Sequence, residues 1–199
     1  MVSQHRNASE LTAANAIPED QILDATYDLM LAVGLRRVTM ADIARQAEVS
    51  RATLYRRWPN VSAVVGELLT REFASLAASS AVEGATAREG VVETVVLLVK
   101  RIRKHPLLRT IADVDPDFLL PYLLERRGTS TTAQLALLDA GLATKDRSIR
   151  RGNRAAQARA IWLIASSFVL SAPVLADRKA SLASLDNELR EALDRYLAP

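Results

Sequence analysis

The sequence of 199 residues contains no cysteine and only two histidines. The absence of cysteine excludes disulfide bonds and thiolate chemistry, and it is consistent with a reducing cytoplasm. The two histidines, His5 and His105, are too few to build the usual transition-metal sites without cysteine. We therefore expect no metal site.

Glycine and proline are also scarce, with seven of each, and aromatic residues make up 5% of the chain. Because strands and their turns depend on these residue types, the scarcity predicts an all-α fold. Apolar residues make up 49% of the chain, which is enough for a sizeable core. The most apolar run, residues 160–176, is interrupted by serines and by Pro173, and it is shorter than a membrane span. Since the N-terminus also lacks a signal-peptide pattern, we expect a cytoplasmic protein.

Sequence patterns that carry catalysis are missing as well. The chain has no phosphate-binding loop, no dinucleotide fingerprint and no serine nucleophile elbow. Asp113, Asp115 and Asp117 are closely spaced carboxylates, but they lie at an Asp–Pro turn, where capping is the expected role. We predict that the chain is not an enzyme and needs no cofactor.

Local composition divides the chain into three parts. Residues 1–17 are polar and aperiodic, and we predict a disordered arm there. Residues 18–64 predict a small N-terminal helical domain, and residues 65–199 predict a larger helical domain. The β-branched run at residues 91–99 taken alone favours a strand. The absence of turn signals over residues 86–104 instead favours one buried helix.

Hydrophobic spacing also predicts one apolar face on each of the two terminal helices. In the first helix, which is expected to end at Gly34, the positions are Ile22, Thr26, Leu29, Met30 and Val33. In the last helix, over residues 182–197, they are Leu182, Leu185, Leu189, Leu193 and Tyr196. Residues 84–90, with a glycine at each end, are predicted to form a flexible joint.

The net charge of +3 is too small to indicate nucleic-acid binding, so its distribution along the chain is more informative. Between residues 36 and 58 only Asp42 and Glu48 oppose a group of arginines. The group consists of Arg36, Arg37, Arg45, Arg51, Arg56 and Arg57. The preceding helix carries four acidic residues, Glu19, Asp20, Asp24 and Asp28. This pattern is typical of a module that faces phosphates, although a solvated arginine surface explains it equally well.

Residues 39–58, TMADIARQAEVSRATLYRRW, predict two short helices around a tight turn. Thr39 and Ser50 are suitable N-caps for the two helices, and Pro59 ends the second. Ala44 is small enough for the helices to cross closely. The residues spaced to fill the core beneath the turn are Ile43, Val49 and Leu54. This is the layout of a helix-turn-helix unit, whose second helix enters the major groove of DNA.

The exposed positions of that second helix are expected to be Arg51, Ala52, Thr53, Tyr55 and Arg56. An arginine can donate two hydrogen bonds to guanine, and a threonine methyl can contact the thymine methyl. Thr39, Tyr55 and Arg57 are suited to phosphate contacts, which fix the register of a protein on DNA but carry no sequence information.

The segment IARQAEVSRATLYRRWPN resembles the pattern of the TetR family of bacterial transcriptional regulators, IA-x-x-AGVS-x-x-x-LY-x-[HR]-[FW]. The resemblance covers about residues 18–69. It implies a homodimer of all-helical subunits, each with a three-helix DNA-binding domain and a variable ligand-binding and dimerisation domain. With Arg45 added from the basic face, the predicted DNA-binding residues are Thr39, Arg45, Ser50, Arg51, Ala52, Thr53, Tyr55, Arg56 and Arg57.

Two positions depart from the family pattern. Glu48 stands where the family usually has glycine, and a left-handed backbone there would cost on the order of 1 kcal/mol. Val61 stands where the family commonly has a lysine. One phosphate contact is then missing, which predicts a salt dependence of DNA binding that is lower by about one unit of slope.

The larger domain carries four aromatic residues that are predicted to line a ligand cavity, with ordinary core packing as the alternative. They are Phe118, Tyr122, Trp162 and Phe168. The family resemblance implies dimerisation through a four-helix bundle made by the last two helices of each subunit. The candidate residues, which could equally face their own core, are Trp162, Ala165, Phe168, Val169 and the leucines between residues 182 and 193.

The sequence therefore predicts a repressor that an unidentified small-molecule effector releases from a palindromic DNA operator. Its expected partners are double-stranded DNA, a second copy of the chain and the effector, and no membrane. The alternative is a helical protein that sequesters an apolar small molecule and whose DNA binding is weak or vestigial.

Overall fold

The computed structural model describes residues 19–114, 129–144 and 146–199, and these residues form helices with no strand among them. The predicted all-α fold is confirmed. The predicted arm at residues 1–17 lies outside the described residues, and so do the candidate ligand residues Phe118 and Tyr122. None of the helices in the described part is long and apolar enough to cross a membrane.

The chain divides into two compact units, residues 1–68 and residues 69–199, called the small unit and the large unit below. The described α-helices are α1 (Glu19–Val33), α2 (Met40–Gln46), α3 (Arg51–Arg57), α4 (Val61–Ser80), α5 (Ala87–Lys104), α6 (Pro106–Val114), α7 (Thr129–Leu142), α8 (Arg154–Leu170), α9 (Ala172–Leu175) and α10 (Leu182–Leu197). A 3-10 turn, Leu35–Arg37, follows α1, and the boundary between the units falls within α4.

Local sequence sets the ends of the helices in the small unit. Gly34 follows α1 with a φ of 77°, a conformation that is open to glycine. The Thr39 hydroxyl accepts a hydrogen bond from the Asp42 N–H, and the Asp42 carboxylate accepts one from the Thr39 N–H. This capping box begins α2, and Ser50 caps α3 by accepting from the Thr53 N–H. The predicted starts of both helices are confirmed.

The core of the small unit takes one face from each of its helices. Its fully buried side chains are Met30, Ile43, Leu54, Val64, Val65 and Leu68. The predicted apolar face of α1 is not buried along its whole length, because 42% of Val33 is exposed. Val33 lies in the last turn of α1, and Leu35, which follows Gly34, is the buried apolar residue at this end of the helix.

The valine-rich segment of the large unit forms one helix, α5, and not a strand. Thr86 caps this helix, and His105 lies at the break before Pro106. Its buried residues are Val92, Val95, Val96 and Val99, which fall on one helical face. They pack with apolar residues of other segments, including Ile161 of α8 and Leu189 and Leu193 of α10. The helix prediction for residues 86–104 is confirmed.

The predicted joint at residues 84–90 is shorter than expected, because α5 begins at Ala87 and includes Gly90. The Glu89 carboxylate accepts a hydrogen bond from the Ala85 N–H at 2.8 Å, which folds this segment against the first turn of the helix. A Cβ on Gly84 would lie 2.4 Å from the Gly90 nitrogen, so the chain approaches itself closely here. Glycine at position 84 is therefore required for steric reasons, in addition to the backbone conformational freedom that it provides.

The apolar face predicted for α10 is only partly buried in its own subunit. The buried residues are Asp186, Leu189, Leu193 and Leu197, whereas Leu182 is exposed and Leu185 and Tyr196 are half-buried. The helix is rotated so that the Asp186 carboxylate accepts a hydrogen bond from the Arg103 guanidinium of α5. Both side chains of this ion pair are buried, with exposed fractions of 8% for Arg103 and 7% for Asp186.

Candidate nucleic-acid interface

The turn between α2 and α3 is tight and is closed by backbone hydrogen bonds. The Ala47 N–H donates to the Ile43 carbonyl at 2.8 Å, and the Val49 N–H donates to the Ala44 carbonyl at 2.9 Å. Between them, Glu48 has a φ of 54°, which places it in the left-handed region. This is the conformation for which glycine is favoured, and Glu48 holds it at a cost of about 1 kcal/mol.

The two helices are fixed by a small apolar core directly beneath the turn. Ile43 and Leu54 are completely buried, and Ala44 is buried at the helix crossing, as predicted. Val49 was predicted to belong to this core but is only half-buried. The Gln21 side chain of α1 donates a hydrogen bond to the Ala47 carbonyl at 2.9 Å and so satisfies an acceptor at the end of α2. No pattern in the sequence indicated this contact, because it joins residues 26 positions apart.

One face of α3 points away from this core. Arg51, Ala52, Tyr55 and Arg56 are exposed on it, with 52% of Tyr55 accessible to solvent, and Arg57 is exposed on another side of the helix. The first four residues form a continuous strip, because α-helical residues advance by about 100° each. The strip combines two guanidinium groups with a phenol and a methyl, which are donors and apolar contacts of the kind that bind DNA base edges.

Thr53 departs from the predicted set of exposed residues. It is half-buried, and its hydroxyl lies 2.8 Å from the Ser50 hydroxyl, to which it is hydrogen-bonded. Ser50 also caps α3, so both hydroxyl groups take part in forming the start of the helix. The physical reason is the helical position of Thr53, which is one turn before Arg57 on the side of the buried Leu54.

At the start of α2, Thr39, Asp42 and Arg45 form a connected polar group. The Thr39 hydroxyl donates to Asp42 Oδ2 at 2.6 Å, and Arg45 Nη2 donates to Asp42 Oδ1 at 2.6 Å. The hydrogen bond from Thr39 is the main reason that the pKa of Asp42 lies below its ordinary value. Arg45 remains largely exposed despite this ion pair, with 77% of its side chain accessible to solvent.

The last residue of α3, Arg57, contacts two carboxylates of the small unit. Its Nη2 lies 2.5 Å from Glu19 Oε2 of α1 and 3.1 Å from Glu67 Oε1 of α4. The neighbouring Trp58 is buried, and its indole N–H donates to Glu67 Oε2 at 2.5 Å. The contacts with Glu67 and Glu19 raise the pKa of Arg57. A hydrogen bond between the carboxyl groups of Glu19 and Glu67 raises the pKa of Glu19. The sequence analysis missed both carboxylate partners.

Comparisons with known proteins agree with this geometry. The sequence model described as "Bacterial regulatory proteins, tetR family" matches residues 22–68, which include α2, the turn and α3. An HTH-type transcriptional regulator of Mycobacterium tuberculosis is 34% identical over 179 residues, which cover 89% of this chain and 93% of the relative. The chain belongs to the TetR family. It is a DNA-binding transcriptional regulator of the helix-turn-helix type.

Solved structures of TetR-family proteins share the fold of this regulator. The repressor AlkX from Dietzia sp. superposes with a TM-score of 0.68 at 23% identity, covering 90% of this chain and 94% of AlkX. The regulator FadR from Bacillus subtilis, solved in complex with stearoyl-CoA, gives a TM-score of 0.59 at 19% identity, covering 89% and 98% of the two chains. At these identities the likeness extends to the fold alone.

The large unit of this TetR-family regulator contains the other two candidate ligand residues, Trp162 and Phe168, on α8. The Trp162 indole N–H donates to the Gln134 side-chain oxygen of α7 at 2.5 Å. Phe168 is partly buried and packs against the core formed by α5, α8 and α10, together with Ala165 and Val169. Ala165, Phe168 and Val169 of α8 therefore face the core of their own subunit.

Proposed function

We propose that this TetR-family regulator is a repressor that binds a palindromic operator as a homodimer. The observation that carries the proposal is the exposed strip on α3, held by a capped helix over a buried core. In a two-fold dimer, two such helices enter successive major grooves about 34 Å apart. A protein that only sequestered a small molecule would have no use for this strip.

Within the strip, Arg51 and Arg56 are proposed to contact base edges and Tyr55 to contact both bases and backbone. Arginine is the side chain most often used to bind guanine through its O6 and N7 atoms. Ala52 leaves room for the approach of a thymine methyl group. Thr53 and Ser50 contribute by forming the start of α3, whose N–H groups carry partial positive charge.

Thr39 and Arg45, at the start and end of α2, are proposed to contact the phosphate backbone. Arg45 is exposed and already paired with Asp42, so it would exchange or share that carboxylate when it approaches a phosphate. The Thr39 hydroxyl donates to Asp42, so its approach to a phosphate requires the hydroxyl hydrogen to rotate. These contacts fix the register of the protein and not its sequence preference.

The homodimer is proposed to form through an apolar surface of the large unit. Leu163 and Leu170 of α8 are exposed, with Leu163 at 62%. Val174 and Leu175 of α9 and Leu182 of α10 are exposed as well, with Val174 at 83%. An apolar group of this kind is expected at a subunit interface, because water contact with large apolar side chains is unfavourable. The inward-facing Ala165, Phe168 and Val169 are thus replaced as candidates by their outward-facing neighbours.

A small-molecule effector is proposed to bind in the large unit and to favour a dimer geometry that does not match the operator. The structural neighbour FadR from Bacillus subtilis was solved with stearoyl-CoA, which supports the idea that this fold accommodates a ligand. Trp162 and Phe168, together with the predicted Phe118 and Tyr122, remain the proposed lining residues.

The test is selection of duplex DNA from a random pool by the full-length protein, followed by sedimentation of the free protein and of the complex. We expect enrichment of an inverted repeat with a dimer bound to it. Failure to enrich any sequence would contradict the proposal and favour the sequestering function. Sedimentation as a monomer at micromolar concentration would contradict the paired geometry.

The effector is best sought by thermal-shift screening against hydrophobic cations, acyl-CoAs and small aromatic compounds. A compound that raises the melting temperature and also releases the selected duplex would support an effector-controlled repressor. A compound that raises the melting temperature without changing DNA binding would instead support the sequestering function.

A further inference from the structure

We infer that Arg57 is a positioning residue that fixes the orientation of α3, and that it is not a contact to a DNA phosphate. The inference rests on the proposed function, because it assumes that α3 is the helix that binds DNA. It concerns how one cationic side chain of the small unit is used: the family resemblance implies a phosphate contact for Arg57, whereas the comparisons assign it no role.

The first argument is the place of Arg57 on α3. At about 100° per residue, Arg57 lies roughly 160° around the helix from Tyr55, which is near the centre of the exposed strip. It shares its side of the helix with Thr53 and with the completely buried Leu54. The Arg57 side chain is 53% exposed, but its guanidinium group contacts Glu19 of α1 and Glu67 of α4.

The second argument is the charge that surrounds the guanidinium group. Arg57 lies within ion-pair distance of two carboxylates, with its Nη2 at 2.5 Å from Glu19 and at 3.1 Å from Glu67. A phosphate that approached this group would meet the negative charge of these carboxyl groups as well as the positive charge of the guanidinium. Since opposite charges within a few ångströms already compensate Arg57, its attraction for phosphate is greatly weakened.

The third argument is the connection that these contacts make. Glu67 of α4 accepts from Arg57 through one oxygen and from the indole N–H of Trp58 through the other. The guanidinium group also lies 5.2 Å from the centre of the Trp58 ring. Arg57 and Trp58 therefore tie the last turn of α3 to α4, and Glu19 ties it to α1.

Such a connection matters because α3 has only seven residues. A helix of this length is not stable on its own in water, so its orientation depends on contacts at its two ends and along its buried face. The Ser50 cap fixes the first turn of α3, and the ion pair between Arg57 and Glu67 fixes its last turn. Loss of the contact at the last turn of α3 is expected to misplace Tyr55 and Arg56, which lie in the adjoining turn.

The two possible roles of Arg57 predict opposite effects of Glu67→Gln on DNA binding. If Arg57 contacts phosphate, removal of the carboxylate frees the guanidinium and DNA binding becomes tighter. If Arg57 positions α3, the same change weakens binding to the selected duplex, by about tenfold. Asp28→Asn, on an exposed residue of α1, is the matched control, because it changes the net charge by the same amount.

The binding measurements use the duplex selected by the wild-type protein and a random-sequence duplex of equal length, over a range of salt concentration. For Arg57→Gln we expect weaker binding to the selected duplex and an unchanged slope of log affinity against log salt. A slope that falls by about one unit on both duplexes would assign Arg57 to a phosphate contact and overturn the inference. Binding by Glu67→Gln that equals or exceeds that of Asp28→Asn would also overturn it.

Hydrogen exchange of the free protein gives a measurement that does not depend on DNA. We expect the amides of residues 51–57 to exchange about fivefold faster or more in Glu67→Gln than in Asp28→Asn. Unchanged exchange in this helix would overturn the inference even if DNA binding fell. If the wild-type protein enriches no duplex, the proposed function fails while the positioning of α3 by Arg57 is still tested.

Discussion

The two units of this regulator use arginine–carboxylate contacts in different ways. In the large unit, the buried side chains of Arg103 and Asp186 pair with each other and join α5 to α10. In the small unit, Arg57 and its two partners are half-exposed, and they lie at the end of the helix that is proposed to bind DNA. Burial decides how much each contact contributes to stability, because solvent screens the exposed pair and not the buried one.

This difference in burial suggests that charged residues have different roles in the two units. A buried ion pair that loses one member leaves an uncompensated charge in the core, which is strongly unfavourable. An exposed pair that loses one member leaves a charge that water solvates. We therefore expect the buried pair to control folding, and the exposed charges of the small unit to control DNA binding with little effect on folding.

The largest expected effect is that of Asp186→Ala. Removal of the carboxylate leaves Arg103 charged and unpaired in the core, which is expected to lower the free energy of unfolding by about 3–5 kcal/mol. The measurement is urea unfolding followed by circular dichroism. The matched control is the double change Arg103→Met with Asp186→Leu, which replaces the pair by apolar groups and is expected to recover most of the loss. If Asp186→Ala were as stable as the wild type, the expected difference in stability contribution between the buried and the exposed ion pairs would be contradicted.

Arg51→Ala tests the expectation that exposed charges of the small unit control DNA binding and have little effect on folding. We expect it to leave the unfolding free energy nearly unchanged, because Arg51 is exposed on α3. It is expected to lower discrimination at one base pair of the selected duplex by about 1–3 kcal/mol, since a bidentate contact to guanine is lost. The measurement is binding to duplexes that differ at each position in turn. Equal losses on the selected and random duplexes would show that Arg51 contacts only phosphate.

Glu48→Gly tests whether the small unit carries strain in its turn. Glycine relieves the left-handed backbone at position 48, but it also adds freedom to the unfolded chain. The net gain in unfolding free energy is therefore expected to be less than about 1 kcal/mol. Glu48→Ala is the control, because it removes the side chain and retains the strain. If both variants gave the same gain, the cause would be the carboxylate and not the backbone.

The smallest expected effect concerns pH and the Asp146 carboxylate of the large unit. This group accepts hydrogen bonds from the Ala87 N–H at 2.7 Å and the Ser148 N–H at 2.8 Å, which lower the pKa of Asp146. Since its pKa is lower in the folded state, its contribution to stability is present above the unfolded pKa of about 4 and is lost as the pH falls through the folded pKa.

Asp146→Asn should accordingly be less stable than the wild type at pH 7, and the difference should shrink as the pH is lowered below about 4. Urea midpoints of both proteins, measured from pH 7 to pH 2, give the comparison directly. Asn retains only one of the two oxygen acceptors, so the change of the difference with pH, and not its size at pH 7, reports the titration of Asp146. A difference that stays constant over the whole range would show that titration of Asp146 does not contribute.

Sequence predicted most reliably the features that depend on residues close together in the chain. The caps at Thr39 and Ser50 are made by side chains and N–H groups three positions apart. The buried valines of α5 repeat at helical spacing, and this spacing outweighed the preference of valine for strands. The apolar face predicted for α10 is only partly buried, and Asp186, which lies outside that face, is buried in an ion pair with a residue 83 positions away.

The sequence by itself determined the all-α fold, the positions of α2 and α3, and the kinds of side chain that α3 carries. These follow from local hydrogen bonding and from the helical repeat, which act over a few residues. The helical repeat also gives the side of α3 on which each arginine lies, but packing between distant segments determines which arginine meets carboxylates. Arg51 and Arg56 face outward, whereas Arg57 meets Glu19 and Glu67 because α1 and α4 bring those carboxylates within 2.5 Å and 3.1 Å of its guanidinium nitrogen. The sequence specifies which residues carry a charge, but packing between distant segments determines whether an opposite charge neutralises it.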